Sequence, residues 1–199
     1  LTPSCIWESR TGAQVHYSAS RRWEQGPAIY VADALPFHEA GRRTYLLTVM
    51  ETNMAEGKIK VSLVSGQDRT STVPEALNLI SDQVQIPDKP VLIKPNFVSV
   101  NNQLCATPVD AVRSTLSFLK GKGVEKFTVA VGPAIGTADE GFDNYGYRPL
   151  ADEFNVTWLD LNSDDTVKVP AFDDKLNVQY LNMSRTRSES YVVSVTRTK

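Results

Sequence analysis

A Rossmann-like layered α/β domain on a mostly parallel sheet is the fold class this sequence predicts, from three observations. Short continuous apolar runs recur, as in Val91-Leu92-Ile93 and Val129-Ala130-Val131, the pattern of strands covered on both faces. Segments with a helical apolar period separate them, which implies parallel strands joined by right-handed crossovers. Turn-forming residues close the runs, at Lys94-Pro95-Asn96 and at Gly132-Pro133.

Lys58–Val64 alternates polar and apolar residues and reads as a first strand of the sheet. Thr72-Val-Pro-Glu75 has the form of a capping box. The helix after it carries Val73, Leu77, Ile80 and Val84 on one stripe, and Pro87 ends it. Pro90–Ile93 is the second strand. Thr107 and Pro108 open a second helix, which buries Val109, Val112, Leu116 and Leu119 and closes at Gly121 and Gly123. Lys126–Val131 is the third strand. Thr137–Glu140 is a further capping box, Gly146 breaks its helix, and Val156–Leu161 is the fourth strand. These four strands are expected to be mutually parallel. Thr166–Val169 and Leu176–Tyr180 suit a hairpin around Asp173-Asp174. A polar helix near Asn182–Ser188 leads to the last strand, Tyr191–Val195. That strand ends close to the end of the chain, so the domain reads as truncated at its C-terminus. An open outer edge there would favour self-association.

The 199 residues are 41% hydrophobic and 22% charged, enough for one domain with a core or one domain with an appendage. A net charge of −2 argues against nucleic acid, whose phosphates call for a basic surface. No apolar run has the length of a membrane span, and Cys5, Trp7, Glu8 and Arg10 interrupt any signal-peptide core. A cytoplasmic location without membrane contact is the expectation. Cys5 and Cys105 are too few for a disulfide framework and read as free thiols. His16 and His38 have no neighbouring ligand set, and no metal site is expected.

Residues 1–57 differ from the rest. Their positive charge is all arginine (Arg10, Arg21, Arg22, Arg42 and Arg43), and Trp7 and Trp23 lie outside any period. They support two readings: an N-terminal extension upstream of a native start at Met50 or Met54, or a genuine N-terminal arm. Residues 58–199 form the α/β domain.

Ligands of open parallel sheets bind beyond the carboxyl ends of the strands. Those ends carry Lys94-Pro95-Asn96-Phe97, Gly132-Pro133-Ala134, Asp160-Leu161-Asn162 and Thr196-Arg197-Thr198-Lys199. Lysine there can neutralise a carboxylate or phosphate, and Asn96 can orient it with a donor and an acceptor. The ordinary alternative is a solvated lysine at a strand end and a proline that merely turns the chain. Gly132–Gly136 lacks the spacing of the dinucleotide fingerprint, and neither a phosphate loop nor an iron–sulfur cysteine cluster is present. Asp160 and Cys105 are the candidates for a base or nucleophile. Each also has a bland reading, Asp160 as a loop cap and Cys105 as a filler. Asp164-Asp165 and Asp173-Asp174 read as solvated loop and hairpin residues.

Lys58–Val64, Leu92-Ile93-Lys94-Pro95-Asn96, Thr107-Pro108, Val129–Ala134, Gly146-Tyr147-Arg148 and Val156–Leu161 together resemble the family catalogued as domain of unknown function 362. The likeness runs over nearly all of Lys58–Lys199 and none of Leu1–Asn53. It implies a soluble prokaryotic protein, often encoded with or fused to ferredoxin-type iron–sulfur modules, and a fold distantly similar to the first domain of nickel-dependent lactate racemases. In the family a later strand leads into a Lys-Thr-His segment. Lys199 matches its lysine, and the histidine does not follow. The resemblance suggests Lys94, Asn96 and Lys199 as site residues; the strand-end argument adds Gly132 and Pro133 to the ligand-binding set.

Two functions follow as expectations. One is an enzyme, or part of one, that holds a small anionic substrate at the strand ends and is linked to iron–sulfur redox chemistry. The other is a non-catalytic domain that binds such a ligand or an iron–sulfur protein partner. The chain itself carries no cofactor on this reading; the resemblance puts an iron–sulfur cluster in longer members.

Overall fold

The computed structural model describes residues 60–197, together with the backbone of the strand residues 5–8, 14–17, 29–33, 48–54 and 57–59. Chain order is β1 Cys5–Glu8, β2 Gln14–Tyr17, β3 Ile29–Asp33, β4 Thr48–Met54, β5 Gly57–Leu63, α1 Arg69–Leu79, β6 Val91–Pro95, α2 Val109–Gly121, β7 Phe127–Val131, α3 Ala138–Asn144, α4 Leu150–Glu153, β8 Val156–Asp160, β9 Thr166–Phe172, β10 Val178–Ser184, α5 Arg185–Glu189 and β11 Tyr191–Arg197. A five-stranded sheet of order β3-β11-β6-β7-β8 is parallel throughout. This is the Rossmann-like α/β layout that the apolar runs predict.

Lys58–Val64 is not part of that sheet. β5 pairs antiparallel with β4 in a separate two-stranded ribbon. The alternation in its sequence belongs to a strand with one wet face, unlike the continuous runs of buried parallel strands. Its apolar residues are nonetheless the more open ones, Val61 and Leu63 being 47% and 53% exposed, whereas Leu92, Ile93, Val129 and Val131 of the sheet are fully buried. The fourth place in the sheet goes to β11, which lies between β3 and β6. The outer edge expected to be open on this strand is therefore occupied by β3. Among the described strands, the sheet instead ends at β8.

α1 begins earlier than the Thr72–Glu75 pattern suggests. Asp68 is its N-cap and accepts from Thr70 N at 2.9 Å, since a carboxylate placed before the first turn is a strong cap. Thr72 instead donates its hydroxyl back to Asp68 O. α2 follows expectation: Val112, Leu116 and Leu119 are fully buried, and Gly123 adopts φ +93° after its end. The second capping box is present with both hydrogen bonds, between Thr137 and Glu140.

One apolar cluster joins Val73 and Leu77 of α1, Ala111, Val112, Leu116 and Leu119 of α2, Phe142 of α3 and Leu150 of α4 to Val91, Ile93, Val129, Val131, Val193 and Val195 of the sheet. The alternation of a strand puts Leu92, Lys94, Thr128, Ala130, Val192 and Ser194 on the opposite face. β9 and β10 form an antiparallel hairpin, longer than the expected one and turned by Asp173, which accepts from Lys175 N and Asn177 N. Asn182–Ser184 belongs to β10, so the polar helix is shorter than expected and begins at Arg185.

Candidate functional site

The motif residues of the sequence converge on one buried side chain. Thr107 is 2% exposed. Its hydroxyl accepts from Asn96 N at 2.9 Å and donates to Val195 O at 2.9 Å. Its N–H donates to Asn96 O at 2.9 Å, and its carbonyl accepts from Tyr147 Oη at 2.8 Å. Thr107 thus fastens the end of β6 to the end of β11, and Tyr147 fastens both to α3 and α4. Around this node Phe97 meets Phe142, Tyr145 and Tyr147 edge-on, with ring centroids 5.1–5.8 Å apart. Arg148 lies over Phe142 and Trp158 and pairs with Asp139 and Asp143. The Gly-Tyr-Arg and Thr-Pro motifs are therefore supports for the strand ends.

Strand order locates the crevice. From β6 the chain moves to β7 and then β8 on one side, and it returns through the hairpin and α5 to place β11 on the other side of β6. The switch point lies between β6 and β11, where open α/β sheets bind ligands beyond the strand ends. Lys94 stands there, paired in register with Ser194, so the two side chains share the face opposite the helices. Lys94 is half-buried. Burial, followed by repulsion from the Arg187 guanidinium, holds its ammonium below the ordinary lysine pKa. Among the described residues neither Lys94 nor Arg187 is paired with a carboxylate. Arg187 is positioned by α5: Ser184 caps that helix by accepting from Arg187 N, and the guanidinium contacts the Met183 sulfur at 2.9 Å. Asn96 has both backbone polar groups committed to Thr107, and its side-chain amide has no hydrogen bond among the described residues.

Other predicted positions fall elsewhere. Gly132 and Pro133 follow β7, one strand away from the switch point. There Asn162 Nδ2 donates to Pro133 O at 2.9 Å, and a Cβ on Gly132 would come within 2.9 Å of the same amide. Ala134 N and Ile135 N both donate to Val98 O. The N-terminus of α3 is capped from within the chain. Thr137 N is bonded to Glu140 and Ala138 N to Asp160, so two carboxylates already occupy that terminus. Asp160 pairs in register with Val131 and therefore lies on the helix-covered face, opposite Lys94. It cannot orient Lys94. It accepts from Ala138 N and Asn162 N, a loop-capping role. Cys105 ends a 3-10 turn, Gln103–Cys105, in the loop between β6 and α2. Lys199 lies outside the described residues.

Sequence reasoning missed Arg187, Ser194 and the function of Thr107. Thr107 shows only as a helix opener, and no spacing connects Arg187 to Lys94. Asp164 is also more than solvated loop: it accepts from the Ser184 hydroxyl and from Thr186 N and Oγ1, tying the hairpin to α5.

The family model described as Domain of unknown function (DUF362) matches residues 91–199. The chain belongs to the DUF362 family. The matched span starts at the first residue of β6, so the β4–β5 ribbon and α1 lie upstream of it. No curated protein and no solved structure matches the chain significantly. Among the described residues no three His, Cys, Asp or Glu side chains are placed to hold a metal, and no helix is long and apolar enough to cross a membrane. Cys5 and Cys105 are the two cysteines of this DUF362 chain, whereas a cluster is held by four thiolates.

Proposed function

We propose that this DUF362 chain binds a small anion at the β6–β11 switch point, as an enzyme or the substrate-holding part of one. The observation that carries the reading is the half-buried Lys94 at the end of a central strand, repelled by Arg187, with no carboxylate partner for either among the described residues. Bringing two cations together away from water is unfavourable, and an anion between them reverses the sign of that interaction. Asn96 adds a donor and an acceptor for orientation, and Ser194 a hydroxyl on the same face. A partner iron–sulfur protein and a cytoplasmic location belong to the same proposal. What supports them is the family resemblance.

One observation favours the second reading, a non-catalytic binding domain. Asp160 is on the wrong face of the sheet to serve as a base beside Lys94. The readings share the anion and differ in turnover.

The test is binding of oxalate, acetate and inorganic phosphate to the wild type, Lys94→Ala and Arg187→Gln, followed by NMR titration. A half-exposed charge contributes about 1 kcal/mol, so each substitution should weaken binding about fivefold. Affinities that are unchanged in both variants would make Lys94 and Arg187 structural and the site assignment wrong.

A further inference from the structure

We infer that the outer face of the β9–β10 hairpin is a docking surface for a second copy of this chain, packed face to face about a two-fold axis. The inference does not depend on the anion site. Side chains of the ribbon alternate between its two faces. Val167, Val169 and Ala171 of β9 lie on the half-buried face, whereas Pro170 and Phe172 lie on the other and are exposed. Register places Val178 beside Phe172 and Tyr180 beside Pro170 on that outer face. Phe172, Val178 and Tyr180 are 66%, 50% and 65% exposed. The solvent face of an antiparallel ribbon is ordinarily polar, and contiguous exposed apolar side chains mark an interaction surface.

Charge identifies the occupant. Across residues 166–184 the charged side chains are Lys168, Asp173, Asp174 and Lys175, so the hairpin has no net charge and does not repel a copy of itself. Their order is also self-complementary. Lys168 stands toward the base of the ribbon, and the turn with Asp173, Asp174 and Lys175 is its net negative end. Lys168 and Asp174 each lie three residues from Ala171, which is paired with Gln179. A two-fold axis running across the ribbon at that pair brings Lys168 of each copy to Asp174 of the other. The same axis lays Phe172 on Pro170 and Tyr180 on Val178 of the second copy. Apolar side chains then meet apolar ones, and opposite charges close both ends. A partner with a single sign of charge would match only one end. Two rings that are two-thirds exposed offer about 150 Å² each, and with Pro170 and Val178 the face offers about 400 Å². Two such faces with their charged ends bury about 1,000 Å², the lower end for a specific interface. The dimer is accordingly weak, with a Kd on the order of 10–100 µM.

The experiment is sedimentation velocity of the full chain from about 2 to about 500 µM, a range that brackets the expected Kd. Monomer should pass to dimer across it. Tyr180→Ser should raise the Kd at least tenfold, because each dimer loses a central aromatic ring twice. The ring is exposed in the monomer, so thermal unfolding of the dilute variant should change little. Asp174→Lys should weaken the dimer about fivefold. Adding Lys168→Asp to that variant should restore it, which an interface elsewhere on the chain would not do. A monomer at every concentration overturns the inference, and so does a dimer unmoved by Tyr180→Ser. A double reversal that fails to restore the dimer overturns the two-fold placement. If the wild type stays monomeric while the hairpin amides resist exchange, another segment of the chain covers the face, and the inference fails as well.

Discussion

Lys94 and Thr107 are opposites: Lys94 is a half-buried ammonium with no carboxylate partner among the described residues, whereas the Thr107 hydroxyl both accepts and donates a hydrogen bond. The ammonium of Lys94 loses water on folding and gains a cation as neighbour, so its charged form is less favourable in the folded state. Lys94→Met, of similar length and uncharged, should therefore stabilise the fold by about 1 kcal/mol, as is common when a functional group is removed. The sign of the pH effect follows. A lysine whose folded pKa is lowered costs stability while it is protonated, and the cost fades as pH rises from the folded value toward about 10.4, the unfolded one. The gap between wild type and Lys94→Met should narrow over that range in chemical denaturation. A Met variant less stable than wild type would show that the lysine has a stabilising partner. Thr107→Val acts in the opposite direction. It leaves Asn96 N and Val195 O without the hydroxyl that serves both, at about 1–3 kcal/mol for each group. Urea unfolding should show a loss of about 2–4 kcal/mol, with Thr107→Ser recovering most of it. A loss below about 0.5 kcal/mol would mean that water replaces the hydroxyl.

At the scale of elements, α5 is the piece that brings Arg187 to Lys94, and Asp164 is what holds α5. Its carboxylate accepts from Ser184, Thr186 N and Thr186 Oγ1. Those bonds, above all the one from Ser184, keep its pKa below the ordinary aspartate value. A depressed carboxylate pKa stabilises the fold above the unfolded value of about 4, and the contribution is lost as pH falls through the folded one. Thr186 N–H should therefore shift in NMR spectra on acidification below about pH 4, with a midpoint lower than that of a free aspartate. Asp164→Asn should weaken anion binding at Lys94 without changing the sheet. Equal affinity in Asp164→Asn would show that α5 keeps its place by other contacts. The loop on the other side of the site depends on Gly136, at φ +88°, where a Cβ would come within 2.2 Å of Val100. Both the backbone conformation and the contact require glycine there.

For the whole molecule, stability is unequally distributed. Leu92, Ile93 and Val129 are fully buried in the middle of the sheet, whereas the β9–β10 hairpin is a two-stranded ribbon with Phe172 and Tyr180 66% and 65% exposed. Such ribbons are marginal by themselves. Hydrogen exchange should protect β6 and β7 longest and release β9 and β10 first, through local opening. Equal protection of the hairpin and the sheet centre would mean that the hairpin is covered in solution. The exposed Pro170, Phe172, Val178 and Tyr180 share one face of that ribbon.

The apolar runs of β6, β7 and β11, the stripe of α2 and the Thr137–Glu140 capping box were all legible in the chain, because each depends on near neighbours and on one period of burial. The strand-end location of Lys94 and Asn96 was legible for the same reason: it needs only the end of a buried run. What required the tertiary structure were pairings between distant segments. The antiparallel partnership of β5 with β4, and the place of β11 between β3 and β6, are choices of hydrogen-bonding partner that no local pattern encodes. With β11 beside β6, the topological switch point lies between the ends of those two strands, one strand away from the Gly132-Pro133 loop. The alternation of β8 then put Asp160 on the far face. A side chain's charge is written in its residue type, but which charges face one another is decided by strand order, and the candidate site consists of that second kind of information.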